Sequence, residues 1–182
     1  MRTVQELECA GVCGLTIEDT GGYGSYAHEG SSVPGSAGGY TLLSVDEGAG
    51  KLRAAVAARL DPELLIIART SAHAAPATAQ AGGENGTGVA EVVRRLQVYR
   101  ETGIDAFMLI GAFKTDELAL CSQAAGGLPI ILSNAGPAGA ASAGGVQALA
   151  KYNVRIVLQG HQPFAAAQKA VRDTAHLPLC PP

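Results

Sequence analysis

Three places along the chain carry side chains whose types could bind an anion, hold a metal ion or move a proton. Glu18 and Asp19 close the apolar run Gly14-Leu-Thr-Ile-Glu18. Two carboxylates there can hold Mg²⁺ directly or through water, because that ion takes oxygen ligands and keeps several waters. The same pair can equally cap a helix or meet a lysine. Arg69 and Thr70 follow the run Leu64-Leu-Ile-Ile-Ala68. An arginine guanidinium is a planar fork that grips a carboxylate or phosphate bidentately, or it can pair with Glu18 or Asp19. His161 stands in Leu158-Gln-Gly-His-Gln-Pro163, between a glycine and a helix start whose backbone donors also favour an anion. It can donate a hydrogen bond to a carbonyl or enolate oxygen, act as an acid–base, or simply cap and pack. His28, with Tyr23 and Tyr26, lies in a glycine-rich segment and would meet a ligand if that segment closed. His73 and His176 have no such context and read as surface residues.

The elements that position these residues follow from five short apolar runs: 14–18, 64–68, 106–110, 129–133 and 154–158. Each is mostly apolar at both alternating positions, as a parallel strand reads when both its faces are covered. Helical patterns separate them. Ser44 with Glu47 forms a capping-box signature ahead of 51–60, where Leu52, Val56 and Leu60 make one stripe. Val89, Val92, Val93, Leu96 and Tyr99 make another over 89–102, closed by Gly103 as a left-handed C-cap. Further helices are expected over 3–10, from Thr115, over 145–151 and from Gln162-Pro163. Strand–helix alternation implies right-handed crossovers and a parallel sheet. Two α/β architectures satisfy it: an open doubly wound sheet, and a (β/α) barrel of the TIM type lacking its first three strands. Two segments break the rhythm, 20–43, rich in glycine and serine, and 71–88, rich in alanine and glycine. Both follow a strand's C-terminal end, where parallel α/β proteins build their sites.

Composition narrows the function. The 182 residues suit a single domain and are 47% hydrophobic and 16% charged, a globular balance. A net charge of −3 leaves no basic footprint for nucleic acid or an anionic membrane surface. No apolar run approaches the roughly 20 residues that cross a bilayer, and residues 1–12 lack the apolar region of a signal peptide. The chain reads as cytoplasmic. Cys9, Cys13, Cys121 and Cys180 form no CxxC pair and have no histidine at ligand spacing, so they read as small buried thiols. Gly21-Gly-Tyr-Gly24 lacks dinucleotide-binding spacing, and there is no P-loop or GxSxG.

The segment Glu6-Leu-Glu-Cys-Ala-Gly-Val-Cys-Gly-Leu-Thr-Ile-Glu-Asp19 resembles one of the isocitrate lyase / phosphoenolpyruvate mutase superfamily. Gly50-Lys-Leu-Arg53, Ile66-Ile-Ala-Arg-Thr70 and Val98-Tyr-Arg-Glu-Thr-Gly-Ile-Asp-Ala106 continue it in the same order. Val157-Leu-Gln-Gly-His-Gln-Pro-Phe-Ala-Ala-Ala167 is most similar to the oxaloacetate decarboxylase branch. The resemblance implies a TIM-type barrel that uses Mg²⁺, or Mn²⁺ in its place, to decarboxylate oxaloacetate or a related β-keto acid to pyruvate and CO₂ through an enolate. It implies that Arg69 binds the substrate carboxylate, that His161 hydrogen-bonds the substrate, and that Glu18 supports the metal through water. The partners it implies are a small α-keto acid and further copies of the chain. By the same resemblance the chain starts at the family's third helix, so the three preceding strands and their metal-binding aspartates would lie upstream. Residues 20–43 lack the cysteine of the isocitrate-cleaving lyases. Phosphonopyruvate hydrolysis or mutation, cleavage of a substituted malate, and a truncated non-catalytic homologue remain as alternatives.

Overall fold

The structure, a computed structural model, describes residues 1–21, 41–73, 88–133, 144–158 and 162–175. In chain order these form α1 (Arg2–Cys9), β1 (Gly14–Glu18), β2 (Thr20–Gly21), β3 (Thr41–Leu42), α2 (Val45–Ala58) and β4 (Leu65–Thr70). Then come α3 (Val89–Tyr99) with a 3₁₀ turn over Arg100–Thr102, β5 (Ala106–Ile110), α4 (Thr115–Ala124) and β6 (Ile130–Ser133). The described part closes with α5 (Val146–Lys151), β7 (Val154–Leu158) and α6 (Gln162–Ala175). No described helix is long and apolar enough to cross a membrane.

Strand pairing separates the two architectures that alternation left open. The main sheet runs β1-β4-β5-β6-β7 with every pairing parallel. Each strand therefore joins beside its predecessor and always on the same side, whereas a doubly wound sheet reverses its order midway. The two faces also differ. Ile66, Ala68, Phe107, Leu109, Ile130 and Leu132 share the main core with Leu52, Leu96 and Leu118 from the helices. The opposite face carries a separate, smaller cluster of Met108, Ile110 and Ile131 with Ile67 packed on it. Helices on one face and a strand-only cluster on the other is the layering of a (β/α) barrel. β1 and β7 are the edges of this sheet among the described residues, and the inner-face residues Leu65 and Ile156 near those edges are about half exposed.

Local chemistry explains the element limits. At the start of α2 the Ser44 hydroxyl accepts the Glu47 N–H at 3.2 Å, and Glu47 Oε2 accepts the Ser44 N–H at 3.1 Å. The hydrogen bonds from Ser44 hold the Glu47 carboxyl below its ordinary range. Gly103, at φ 86°, turns the chain out of the 3₁₀ segment. The structure corrects three expectations. The buried side of α2 is Val45, Gly48, Ala49, Leu52, Ala55 and Ala58, because the helix ends before Leu60, which is exposed. Segment 20–43 begins and ends in a small antiparallel hairpin, with Thr20 opposite Leu42 and Gly21 opposite Thr41. Cys121 is buried, but Cys9 and Cys13 are exposed on either side of the turn after α1.

Gly48 sits inside α2, where glycine costs about 1 kcal/mol relative to alanine. Its reason is Tyr99: a Cβ at 48 would lie 2.8 Å from Tyr99 Cζ and closer still to the hydroxyl. Gly48→Ala therefore gains helix propensity yet lowers the urea midpoint, with a net loss of about 1–3 kcal/mol from overpacking; an unchanged or raised midpoint would show that Tyr99 yields freely. Burial pushes the Cys121 thiol up to about 12, with Glu117 adding to the shift. At pH 8, site-mapped alkylation should label Cys9 and Cys13 in minutes and Cys121 only after denaturation.

Candidate active site

β1 and β4 are in register with Glu18 opposite Arg69, and facing positions of neighbouring strands project to the same side of the sheet. Both side chains therefore stand on the inner face, at the C-terminal edge. Arg69 Nη2 lies 3.3 Å from Glu18 Oε1, and the side chains are 30% and 32% exposed. The Ser71 hydroxyl donates to the same Oε1 at 3.0 Å. Lys51, from α2, donates to the Glu18 backbone carbonyl at 2.7 Å. Arg69 Nε is buried without a hydrogen-bond partner among the described residues. An unmade hydrogen bond on a buried guanidinium nitrogen is costly, so Arg69 keeps donor capacity that Glu18 does not use. With Arg69 set against the Glu18 carboxylate and a donor of its own to spare, the edge suits a small anion.

Asp19, one residue on, projects to the other side and into the core. Its Oδ2 is 3.0 Å from Arg95 Nη1, and the two side chains are 2% and 4% exposed. The Ser71 N–H donates to Asp19 Oδ1 at 3.3 Å. Arg95 also donates from Nε to Glu91 at 2.7 Å, from Nη1 to the Tyr99 hydroxyl at 3.0 Å and from Nη2 to the Leu43 carbonyl at 2.8 Å. Arg94 holds Glu91 through two bonds of 2.9 and 3.1 Å. Burial pushes the Asp19 carboxyl up, while the Arg95 charge and hydrogen bonds from Thr70 and Ser71 pull it back. Burial, followed by the Asp19 charge, also pushes the Tyr99 phenol up.

The two adjacent carboxylates thus have different fates. Asp19 is committed to Arg95 and Ser71, which removes it from the candidate metal ligands. Glu18 keeps access to the mouth of the site. No cluster of three or more His, Cys, Asp or Glu residues that could hold a metal ion occurs among the described residues. Glu18 alone fits a contact to Mg²⁺ through water, since that ion retains waters and asks few carboxylates of the protein. The described residues do not supply an inner coordination shell.

Of the residues singled out in the sequence, Glu18 and Arg69 are brought together, in the ion pair that was one of the two readings of Arg69. His161, His28, Tyr23, Tyr26 and His176 lie outside the described residues. In the sequence His161 follows Leu158, the last residue of β7, and precedes Gln162, the first of α6. His73 is not a surface residue. Its ring packs on Phe113 with centroids 4.1 Å apart, its Nε2 is 3.4 Å from Glu117 Oε2, and Gly111 leaves it room, since a Cβ there would lie 2.8 Å from Nδ1. Ser71, Glu91 and Arg95 were missed. The apolar pattern put Val89 and Val93 on the buried stripe of α3, but they are only partly covered, and Glu91 and Arg95 are buried instead. The available signal was the spacing of Glu91, Arg95 and Tyr99, each four apart on one helical face.

Comparisons with known proteins agree with this geometry. The model of the phosphoenolpyruvate phosphomutase family matches residues 1–177. An oxaloacetate decarboxylase of Bradyrhizobium diazoefficiens is 41% identical over 175 residues, which is 95% of this chain and 51% of that protein. One of Pseudomonas fluorescens is 38% identical over 174 residues, again 95% and 51%. The chain spans about half the length of these curated relatives. Among solved structures, an oxaloacetate acetylhydrolase in complex with 3,3-difluorooxalacetate has a TM-score of 0.63 at 26% identity, covering 96% of this chain and 52% of that one. A phosphonopyruvate hydrolase has a TM-score of 0.61 at 28% identity, covering 94% and 52%.

The adjacent carboxylates should respond in opposite ways to truncation. Asp19→Ala strands a buried guanidinium and should lower unfolding free energy by about 3–5 kcal/mol. Glu18→Ala, at the exposed mouth, should cost less than about 1 kcal/mol. Equal shifts of the two urea midpoints would contradict the assignment of Asp19 to the support and Glu18 to the site.

Proposed function

Because this chain belongs to the phosphoenolpyruvate phosphomutase family, we propose that it is a lyase that decarboxylates oxaloacetate, or a closely related β-keto acid, to pyruvate and CO₂. The observation that carries this reading is Arg69, held at a strand end against Glu18 with its Nε unsatisfied. The curated relatives named oxaloacetate decarboxylase support it.

The chemistry sets a demand on where the arginine binds. In β-keto acid decarboxylation the bond from C3 to the β-carboxylate breaks, CO₂ departs, and the electron pair moves onto the keto group as an enolate. A proton delivered to C3 then gives pyruvate. A cation gripping the departing carboxylate would stabilise charge that must leave and so raise the barrier, because only interactions stronger in the transition state accelerate the step. Arg69 therefore binds the carboxylate next to the keto group, which keeps its charge throughout. His161 donates a hydrogen bond to the oxygen where negative charge develops, the place at which a preorganised donor helps most. A divalent cation, Mg²⁺ or Mn²⁺, supplies Lewis-acid polarisation of the keto group when bound. Glu18 would support that ion through water, its carboxylate held in place by Ser71 and Arg69. On this reading the protein acts in the cytoplasm, as a homo-oligomer.

The test is a substrate panel with pyruvate release as the readout. Oxaloacetate should be consumed with stoichiometric pyruvate, and chelation of divalent cations should stop turnover. Arg69→Gln should lower kcat/KM about 10- to 100-fold, the loss of one charge-assisted contact of about 1.5–3 kcal/mol. Glu18→Gln should raise the Mg²⁺ concentration needed for half-maximal rate while leaving the fold intact. Preferred turnover of phosphonopyruvate would assign the site to the phosphorus–carbon chemistry found among its structural neighbours. No turnover of either substrate would point to a non-catalytic homologue.

A further inference from the structure

The two layers of charge at the end of β1 and β4 share one residue. Ser71 donates its backbone N–H to Asp19 Oδ1 at 3.3 Å, on the core side of the sheet, and its hydroxyl to Glu18 Oε1 at 3.0 Å, on the inner face. The Asp19 side is fixed by Arg95, which reaches Asp19 from α3. Arg95 is itself held by Glu91, Tyr99 and the Leu43 carbonyl, so its fork has no slack. Backbone bonds tighten the same knot. The Asp19 N–H donates to the Arg69 carbonyl at 3.1 Å, and the Leu43 N–H donates to the Asp19 carbonyl at 2.8 Å.

We propose that Arg95 is a positioning residue for the Glu18–Arg69 site, acting through Asp19 and Ser71 to set where the Glu18 carboxylate and the Arg69 guanidinium stand. Glu18 and Arg69 are each about a third exposed, and an ion pair so open has little power to hold its own geometry. The direction comes from the buried side. With Asp19 fixed by Arg95, Ser71 has one backbone position, its hydroxyl has one angle toward Glu18 Oε1, and Arg69 meets that carboxylate at one place. Released from Arg95, Asp19 has no charged partner among the described residues, the Ser71 amide loses a fixed acceptor, and the Glu18–Arg69 pair shifts. A misplacement of about 1 Å in a binding group can cost on the order of 100-fold in rate. The catalytic consequence rests on the decarboxylase reading above; the geometric consequence does not.

The fork geometry selects the variants. Arg95→Lys keeps the charge but cannot reach Asp19, Glu91, Tyr99 and Leu43 together, because an ammonium has three donors and no planar fork. Ser71→Ala removes the hydroxyl's bond to Glu18 and leaves the Asp19–Arg95 pair in place. In the isotope-labelled chain, Arg95→Lys should speed hydrogen exchange at the Ser71 amide at least 10-fold more than at the amides of β5, and should move the Arg69 Nε–H resonance. Ser71→Ala should move the Arg69 resonance without lowering the urea midpoint appreciably. In assays with oxaloacetate, Arg95→Lys and Ser71→Ala should each lower kcat/KM about 10-fold, and the double variant should lose no more than either alone, since both break one chain of contacts. Exchange that rises uniformly, or an Arg69 resonance unmoved by Arg95→Lys, would overturn the proposal, as would additive losses. If Arg95→Lys does not fold, the decision passes to Ser71→Ala and Tyr99→Phe, and an Arg69 resonance indifferent to both overturns it. Should the parent chain turn over no oxaloacetate, the decarboxylase reading fails while the resonance and exchange measurements still decide the positioning role.

Discussion

One buried ion pair organises the C-terminal edge of the sheet. Taking Asp19 and Arg95 out of water costs several kcal/mol per ion, and their attraction offsets that only when the geometry is good and the remaining donors and acceptors are filled. Here they are filled: Asp19 receives Arg95, Thr70 and Ser71, and Arg95 adds Glu91, Tyr99 and Leu43. Even Gly48, on the preceding helix α2, conforms to this pair, because the Tyr99 ring that backs Arg95 occupies the space a side chain would need. The same constraint joins β1, β4, α3 and the strand end of the small hairpin into one unit. An isolated pair of this kind contributes little net stability, and its value lies in fixing one arrangement.

The Glu18–Arg69 pair depends on that arrangement. Glu18 and Arg69 stand on the inner face, opposite each other in register, and the groups that orient them come from behind the sheet. This division suits a site for a small charged substrate. The residues that touch the ligand stay open to water, and the residues that hold them are dry. It also explains why adjacent carboxylates on one strand end serve different purposes, since successive side chains of a strand project to opposite faces.

Much of the frame was legible in the sequence. The strand limits at 14–18, 106–110 and 154–158 agree with the structure, because short runs mostly apolar at both alternating positions read as strands of a parallel sheet. β4 runs two residues beyond its apolar run, since Arg69 and Thr70 are still paired to β5 across from Met108 and Leu109. Glu18 and Arg69 were visible because polar residues at the end of an apolar run stand out. The support was not visible. Arg95 lies 76 residues from Asp19, and a periodicity reading assigns charged positions to the solvent. Only tertiary packing shows that Glu91 and Arg95 occupy the buried side of α3, with two valines pushed to its flank. His73 was misread for the same reason: Phe113 and Glu117, its neighbours in space, come after the following strand.

The central claim is that an inner-face anion site at Glu18 and Arg69 is held by a buried layer behind it. Its most direct test is a titration of the isotope-labelled chain with oxalate, a planar dianion that mimics the enolate of pyruvate, in the presence of Mg²⁺. The account predicts saturable shifts of the Arg69 Nε–H and the Ser71 amide at the C-terminal edge, with Asp105 and Arg59 at the opposite edge unmoved. Shifts confined to other parts of the molecule, or none at Arg69 at saturating oxalate, would contradict it.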